Sequence, residues 1–264
     1  VAVNMTDLKR VKSNLPARIV IYAPPGMGKT SLAAEFPAPV FIQTEDGAPS
    51  DIEIATFGHL RTFGDVIGAL GSLYSEAHEY QTLVIDSLSE LEKLVWAETC
   101  SRNNWKTIED PGYGKGYVAT EYVWQEIIDG MNAVRRHRNM TVILIGHSET
   151  PRFDDPTSAS YSRYEVDLHK IGKALIDREV DAILLIKQDA GLSKEKQGFN
   201  KERNIAVGVS RWIYCTPSAA YNAKNRFGMP EKFLYELGKG YAAIGPYLPK
   251  PVTQQPATPA AEAA

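Results

Sequence analysis

Residues 23–30 read Ala-Pro-Pro-Gly-Met-Gly-Lys-Thr. The apolar run Arg18-Ile19-Val20-Ile21-Tyr22 precedes them, and the helix-prone Ser31-Leu32-Ala33-Ala34-Glu35-Phe36 follows. A strand, a glycine turn and a helix in direct succession open a βαβ unit, which commits the chain to parallel strands joined by helices. Gly26 and Gly28 let the backbone curl until several N–H groups point at one anion. The start of the helix adds a partial positive charge. Lys29 is placed to reach the β- and γ-phosphates of a nucleotide, and Thr30 to offer a hydroxyl to Mg²⁺. Pro25, Gly26, Met27, Gly28, Lys29, Thr30 and Ser31 are therefore the expected contacts of ATP, with Mg²⁺ as its companion ion. The motif's usual first glycine is Ala23 here, the smallest available replacement.

The remaining chain continues the pattern up to about residue 216. Apolar, β-branched runs predict strands over 18–23, 39–43, 81–86, 140–146, 181–187 and 204–215. Helical spacing falls near 28–36, 61–77, 88–100, 117–138 and 166–178. The expected fold is α/β: a mostly parallel sheet with helices on both faces and antiparallel strands at its C-terminal end. Residues 1–17 read as a loose polar arm and 18–247 as one core domain. Residues 248–264 are rich in Pro and Ala and read as a disordered tail. No internal repeat is visible.

Chemistry-bearing residues sit where those strands end. Thr82-Leu83-Val84-Ile85-Asp86 is an apolar run closing on a carboxylate, which after a phosphate loop is expected to hold the Mg²⁺ shell. The second strand closes on Glu45-Asp46-Gly47. A carboxylate ending a strand that neighbours the loop strand can orient and polarise the attacking water, and Glu45 is the candidate with Asp46 its competitor. The run Thr141–Gly146 closes on His147, placed to touch a γ-phosphate and report its presence.

Two long connections follow a different logic. Residues 103–117 hold Trp105, Lys106 and Lys115 among glycines; residues 150–164 hold Arg152, Phe153 and Arg163. Cations for phosphates and rings for stacked bases suit single-stranded DNA, although Asp154 and Asp155 oppose it, and ordinary mobile lids are the alternative. Further on, Lys224-Asn225-Arg226 puts two cations in a short polar segment, either a solvated turn or a finger for the phosphates of a neighbouring subunit.

The formal net charge of −3 over 264 residues excludes a generic polycation, so any nucleic acid must be met by a local patch. The two cysteines, Cys100 and Cys215, make no disulfide framework and fit a reducing cytoplasm. No apolar run approaches the length of a membrane span, and no secretory leader opens the sequence, so no membrane partner is expected.

In this order the positions resemble the RecA-type ATPase core: phosphate loop, carboxylate after the second strand, metal-shell aspartate, polar sensor, long loop, cationic pair. More closely, the chain resembles the phage-encoded, RecA-like single-strand annealing recombinases over roughly residues 18–240. The resemblance implies an ATPase acting in the bacterial host cytoplasm, with Glu45 activating water and Asp86 serving the metal. It makes His147 the sensor, where RecA has glutamine. Lys224 and Arg226 become cations acting in trans, with Arg in place of a second Lys. It implies self-association into a ring or filament on single-stranded DNA, annealing or strand exchange, and a single-strand-binding protein as a further partner. A nucleotide-gated accessory or loader with little hydrolysis, and a small-molecule or nucleotide kinase, are the competing functions.

Overall fold

A computed structural model of the chain describes residues 14–47, 52–154, 159–196 and 202–250. The first strand, β1 (Arg18–Ala23), passes through the glycine turn into α1 (Lys29–Ala34), β2 (Pro39–Gln43) and β3 (Ala55–His59). Next come α2 (Phe63–Ser75), β4 (Thr82–Asp86), α3 (Leu88–Asn103), α4 (Lys115–His137) and β5 (Thr141–Glu149). The short β6 (Arg152–Phe153), β7 (Tyr161–Ser162) and β8 (Glu165–Val166) lead to α5 (Lys170–Glu179). The chain closes with β9 (Ala182–Lys196), β10 (Glu202–Tyr214), β11 (Lys224–Asn225), β12 (Lys232–Leu234), α6 (Gly240–Ile244) and a final 3-10 turn.

The main sheet runs β12-β10-β9-β1-β5-β4-β2-β3. Pairing is parallel from β9 across to β3. It turns antiparallel where β10, β11 and β12 join. The central strands β1, β4 and β5 are near-continuous apolar runs because both faces are covered. In β1, Ile19, Ile21 and Ala23 face one core, with Leu32 of α1 and Ile244 of α6. Val20 and Tyr22 face the other, with Leu70, Leu91, Trp124 and Ile176 from α2 to α5. The same alternation repeats in β4, where Val84 joins the first core and Leu83 and Ile85 the second.

Several boundaries depart from the sequence expectation, each for a visible reason. β5 continues three residues past Gly146, because Ser148 and Glu149 pair with β8. That pairing takes Val166 out of the expected helix, so α5 starts at Lys170. β3 was not expected: Ala-Thr-Phe-Gly-His is an edge strand with little burial and so carries no apolar run. The first connection is shorter than 103–117, since Lys115 and Tyr117 already lie on α4. The second contains the β6–β7 hairpin. Of the arm, residues 14–17 are described, and its end is packed: Ala17 is buried, and the Pro16 carbonyl accepts from Arg135 Nε at 2.6 Å. Leu248 packs against the core, whereas 251–264 lie outside the described residues. Among the described residues no helix is long and apolar enough to cross a membrane.

Candidate nucleotide site

The phosphate loop lies at the C-terminal ends of the parallel strands, between β1 and α1. Gly26 and Gly28 have φ of 74° and 85°, a region that other residues enter only with strain. Gly28 caps α1, its carbonyl accepting from Leu32 N–H at 2.9 Å. Pro25 and Gly26 are exposed, whereas Met27 and Ser31 are half-buried. Lys29 is buried, and burial lowers its pKa while the carboxylates of Asp86 and Glu45 pull the other way. Its ammonium makes one long contact, to the Ala23 carbonyl at 3.4 Å. Among the described residues it has no ion pair, so two of its three donors have no hydrogen-bond partner.

Thr30 Oγ1 donates to Asp86 Oδ2 at 2.8 Å. Asp86 is buried, and burial raises its pKa against the Thr30 hydrogen bond. These two hard oxygens suit Mg²⁺, which takes one or two protein ligands and completes its shell with phosphate and water. Among the described residues no cluster of three or more His, Cys, Asp or Glu forms a self-sufficient metal cage. The buried, unpaired Lys29 and the Thr30–Asp86 pair therefore both fit a Mg²⁺–nucleotide.

Glu45 is not where the sequence placed it relative to the loop strand. β1 is flanked by β5 and β9, and β2 lies beyond β4, so Glu45 ends a strand two removed from a direct neighbour of β1. It reaches the site because the Thr44 and Glu45 N–H groups both donate to the Asp86 carbonyl, at 2.7 and 3.4 Å. Its Oε2 accepts from Ser87 Oγ at 2.7 Å and meets His147 Nε2 at 3.1 Å. The His147 contact is the main cause lowering the Glu45 pKa, and Glu45 in turn raises that of His147. His147 pairs in register with Ala23, the residue that opens the loop. Asp46 is exposed, and the described residues give it no partner. Lys29, Thr30, Glu45, Asp86 and His147 are thus brought together, with Ser87 added. Ser87 was overlooked, although it directly follows Asp86. It is fixed by Thr44, whose Oγ1 donates to the Ser87 carbonyl at 2.8 Å and accepts from its N–H at 2.9 Å.

Lys224 and Arg226 stand at the other end of the sheet. Lys224 and Asn225 pair with Ile183 and Ala182, and Ala182 lies beside Ile19 at the start of β1. Lys224 Nζ donates to the Asp177 carbonyl at 2.6 Å, and Arg226 pairs with Asp181 at 3.2 Å. Neither joins its own phosphate loop. Asn225 Oδ1 accepts from Phe227 and Met229 N–H, which shapes the turn that carries Arg226.

In the first connection Lys106 and Lys115 are exposed and Trp105 is half-buried. In the second, Arg152 pairs with Asp154 at 3.1 Å. Arg163 pairs with Glu165 and lies 3.9 Å over the Phe153 ring. The cations there are largely answered from within the loop.

Residues 15–227 match the family described as AAA domain. The chain belongs to that family. A P-loop ATPase domain is what the loop, the Asp86 strand and the sheet order of this AAA domain describe. No curated protein sequence is significantly similar to it. Among solved structures, the crystal structure of the RadB recombinase is similar at a TM-score of 0.46 and 14% identity, covering 83% of this chain and 86% of that one.

Proposed function

We propose that this AAA domain is a RecA-like recombinase that binds and hydrolyses ATP, assembles on single-stranded DNA and promotes annealing or strand exchange. The observation that carries the ATP reading is the convergence of Lys29, the Thr30–Asp86 pair and the Glu45–His147 pair at one end of the sheet. In that reading Lys29 holds the β- and γ-phosphates, Thr30 and Asp86 hold Mg²⁺, and Glu45 orients the attacking water. Mg²⁺ supplies neutralisation of the charge shared between the phosphates. His147 touches the γ-phosphate side and carries its state into β5.

The DNA reading is supported by how the two connections join the site. Tyr117, at the end of the first, stacks on His169 with ring centroids 4.1 Å apart. The second is anchored on β5 by the Ser148–Val166 pairing and by Asp167 N–H donating to the His147 carbonyl at 2.9 Å. A change at His147 therefore reaches the second connection directly and the first only by way of Asp167 and His169. Lys106 and Lys115 are the preferred phosphate contacts, with Trp105 and Phe153 as rings and Arg152 and Arg163 as cations that must first leave their acidic partners. Fluorescence anisotropy with a labelled oligonucleotide tests this. Replacing Lys106 and Lys115 by Ala should flatten the salt dependence by about one phosphate contact each. An unchanged slope places DNA elsewhere.

One observation favours the accessory reading instead. Ser87 and His147 both hold Glu45 Oε2 and lower its pKa, which makes Glu45 a weaker base towards the attacking water. ATP turnover measured with and without single-stranded DNA separates the two. Stimulation by DNA supports the recombinase, and negligible turnover under both conditions supports the loader.

A further inference from the structure

A second cation stands beside the phosphate loop. Arg211 lies on β10, and its Nη1 stands 3.2 Å from where a Cβ on Gly28 would be. The same spot is faced by Leu237 Cδ2 at 3.1 Å and Tyr235 Cε1 at 3.6 Å. The guanidinium carbon lies 5.7 Å from the Tyr235 ring centroid. Arg211 Nε is buried and has no hydrogen-bond partner. Among the described residues the side chain makes no ion pair either. Glu35, which could have served, is taken: it accepts from Gly238 and Tyr241 N–H at 2.8 Å each and from Tyr235 Oη at 3.3 Å.

These contacts build a strap. The Tyr235 hydroxyl is shared between Glu35 and the Gly28 carbonyl, at 3.3 Å from each, so the segment from Tyr235 to Tyr241 is laced to the loop and to α1. Between strap and helix opens a cleft of about 340 Å³ lined by Ser31, Ala34, Glu35, Ile52, Leu237 and Gly238. The loop is therefore flanked by two cations on different sides. Lys29 faces the Asp86 and Glu45 side, where metal and γ-phosphate belong. Arg211 faces the Leu237 side, next to the cleft, where the nucleoside end of a nucleotide would lie.

We propose that Arg211 is a nucleotide-binding residue acting in cis, its guanidinium hydrogen-bonding the α- and β-phosphate oxygens of a nucleoside di- or triphosphate. This rests on reading the loop as a nucleotide site. A guanidinium with an unanswered buried N–H next to a phosphate cradle is completed by a multi-oxygen anion such as phosphate, which its planar fork can meet with two parallel bonds. Gly28 is part of the device, because a side chain there would crowd the Arg211 fork and Leu237.

The test is calorimetric titration of the full chain with MgATP, MgADP and inorganic tripolyphosphate, comparing the parent with Arg211→Ala, Arg211→Lys and Lys29→Ala. Arg211→Ala should weaken all three by about tenfold or more, ATP and ADP by the same factor, with a shallower salt dependence. Arg211→Lys, which keeps charge and packing over Tyr235 but not the fork, should fall between. If Arg211→Ala binds all three like the parent while Lys29→Ala does not, Arg211 is idle and the proposal is wrong. A loss for the nucleotides alone, with tripolyphosphate unaffected, overturns the phosphate contact in favour of one with the base. A lowered melting temperature with unaltered affinity and salt slope makes Arg211 a packing residue only. Unaltered binding by Lys29→Ala overturns the reading of the loop itself, and the Arg211 assignment with it.

Discussion

A buried ammonium without a carboxylate in contact is held at a cost until an anion reaches it, and Lys29 is in that position. Glu45 presents the complementary case, a carboxylate whose Oε2 is held by Ser87 and His147 while Oε1 stays open to a water. Glu45→Gln is expected to keep MgATP bound and to slow turnover by about 10²-fold, the usual loss for a missing general base. A steady-state phosphate-release assay reads this directly. Normal turnover in Glu45→Gln with a collapse in Asp46→Asn would move the role to Asp46. At this scale the loop was legible because its chemistry is local: glycines, lysine and threonine at fixed spacing. Arg211 and Tyr235 were not. Arg211 reaches Gly28 from β10 and Tyr235 from just past β12, the latter 207 residues further on, and no local pattern marks that approach.

Between elements, Glu92 on α3 is a buried carboxyl whose charge bears on stability. It accepts the His169 N–H at 3.0 and 3.2 Å, joining α3 to the start of α5. Burial pushes its pKa from 4.5 to about 7, with Asp167 and Glu149 adding to the rise and the His169 N–H opposing it. A carboxyl raised in this way binds its proton more tightly in the folded state. Stability from this group is greatest below pH 4.5, where both states are protonated, and falls as pH rises towards about 7. The rise corresponds to about 3 kcal/mol. Glu92→Gln should therefore melt close to the parent at pH 5 and above it at pH 8. A constant gap between the two across that range would show that Glu92 does not titrate there. Strands buried on both faces were legible as continuous apolar runs. β3, β8 and the β6–β7 hairpin were not, because short edge strands are defined by pairing partners more than by their own residues.

For the whole molecule, the sheet separates two cationic ends. Lys29 is at the C-terminal edge of the parallel strands, and Lys224 and Arg226 are at the other. In a head-to-tail assembly this polarity lets one subunit's Arg226, with a half-exposed side chain, approach the next subunit's nucleotide once it leaves Asp181. Lys224→Ala or Arg226→Ala should then bind MgATP normally yet hydrolyse it poorly, by about 10³-fold in the range of arginine fingers. Mixing Arg226→Ala with Lys29→Ala subunits should restore part of the rate, since some interfaces pair an intact loop with an intact finger. A mixture as inactive as either variant, where mixed assemblies are shown to form, would leave Arg226 as the partner of Asp181 alone. The order of motifs along the chain made the polarity legible. The pairing of Arg226 was not, since Asp181 meets it only through the turn that Asn225 shapes.

The central claim is that nucleotide and single-stranded DNA together drive assembly. Sedimentation velocity of the full chain with a labelled single-stranded oligonucleotide, with and without MgATP, tests it most directly. The account predicts a large species that needs both ligands, dissolves as salt rises, and is absent for Lys29→Ala. A chain that sediments unchanged with both ligands present would contradict it.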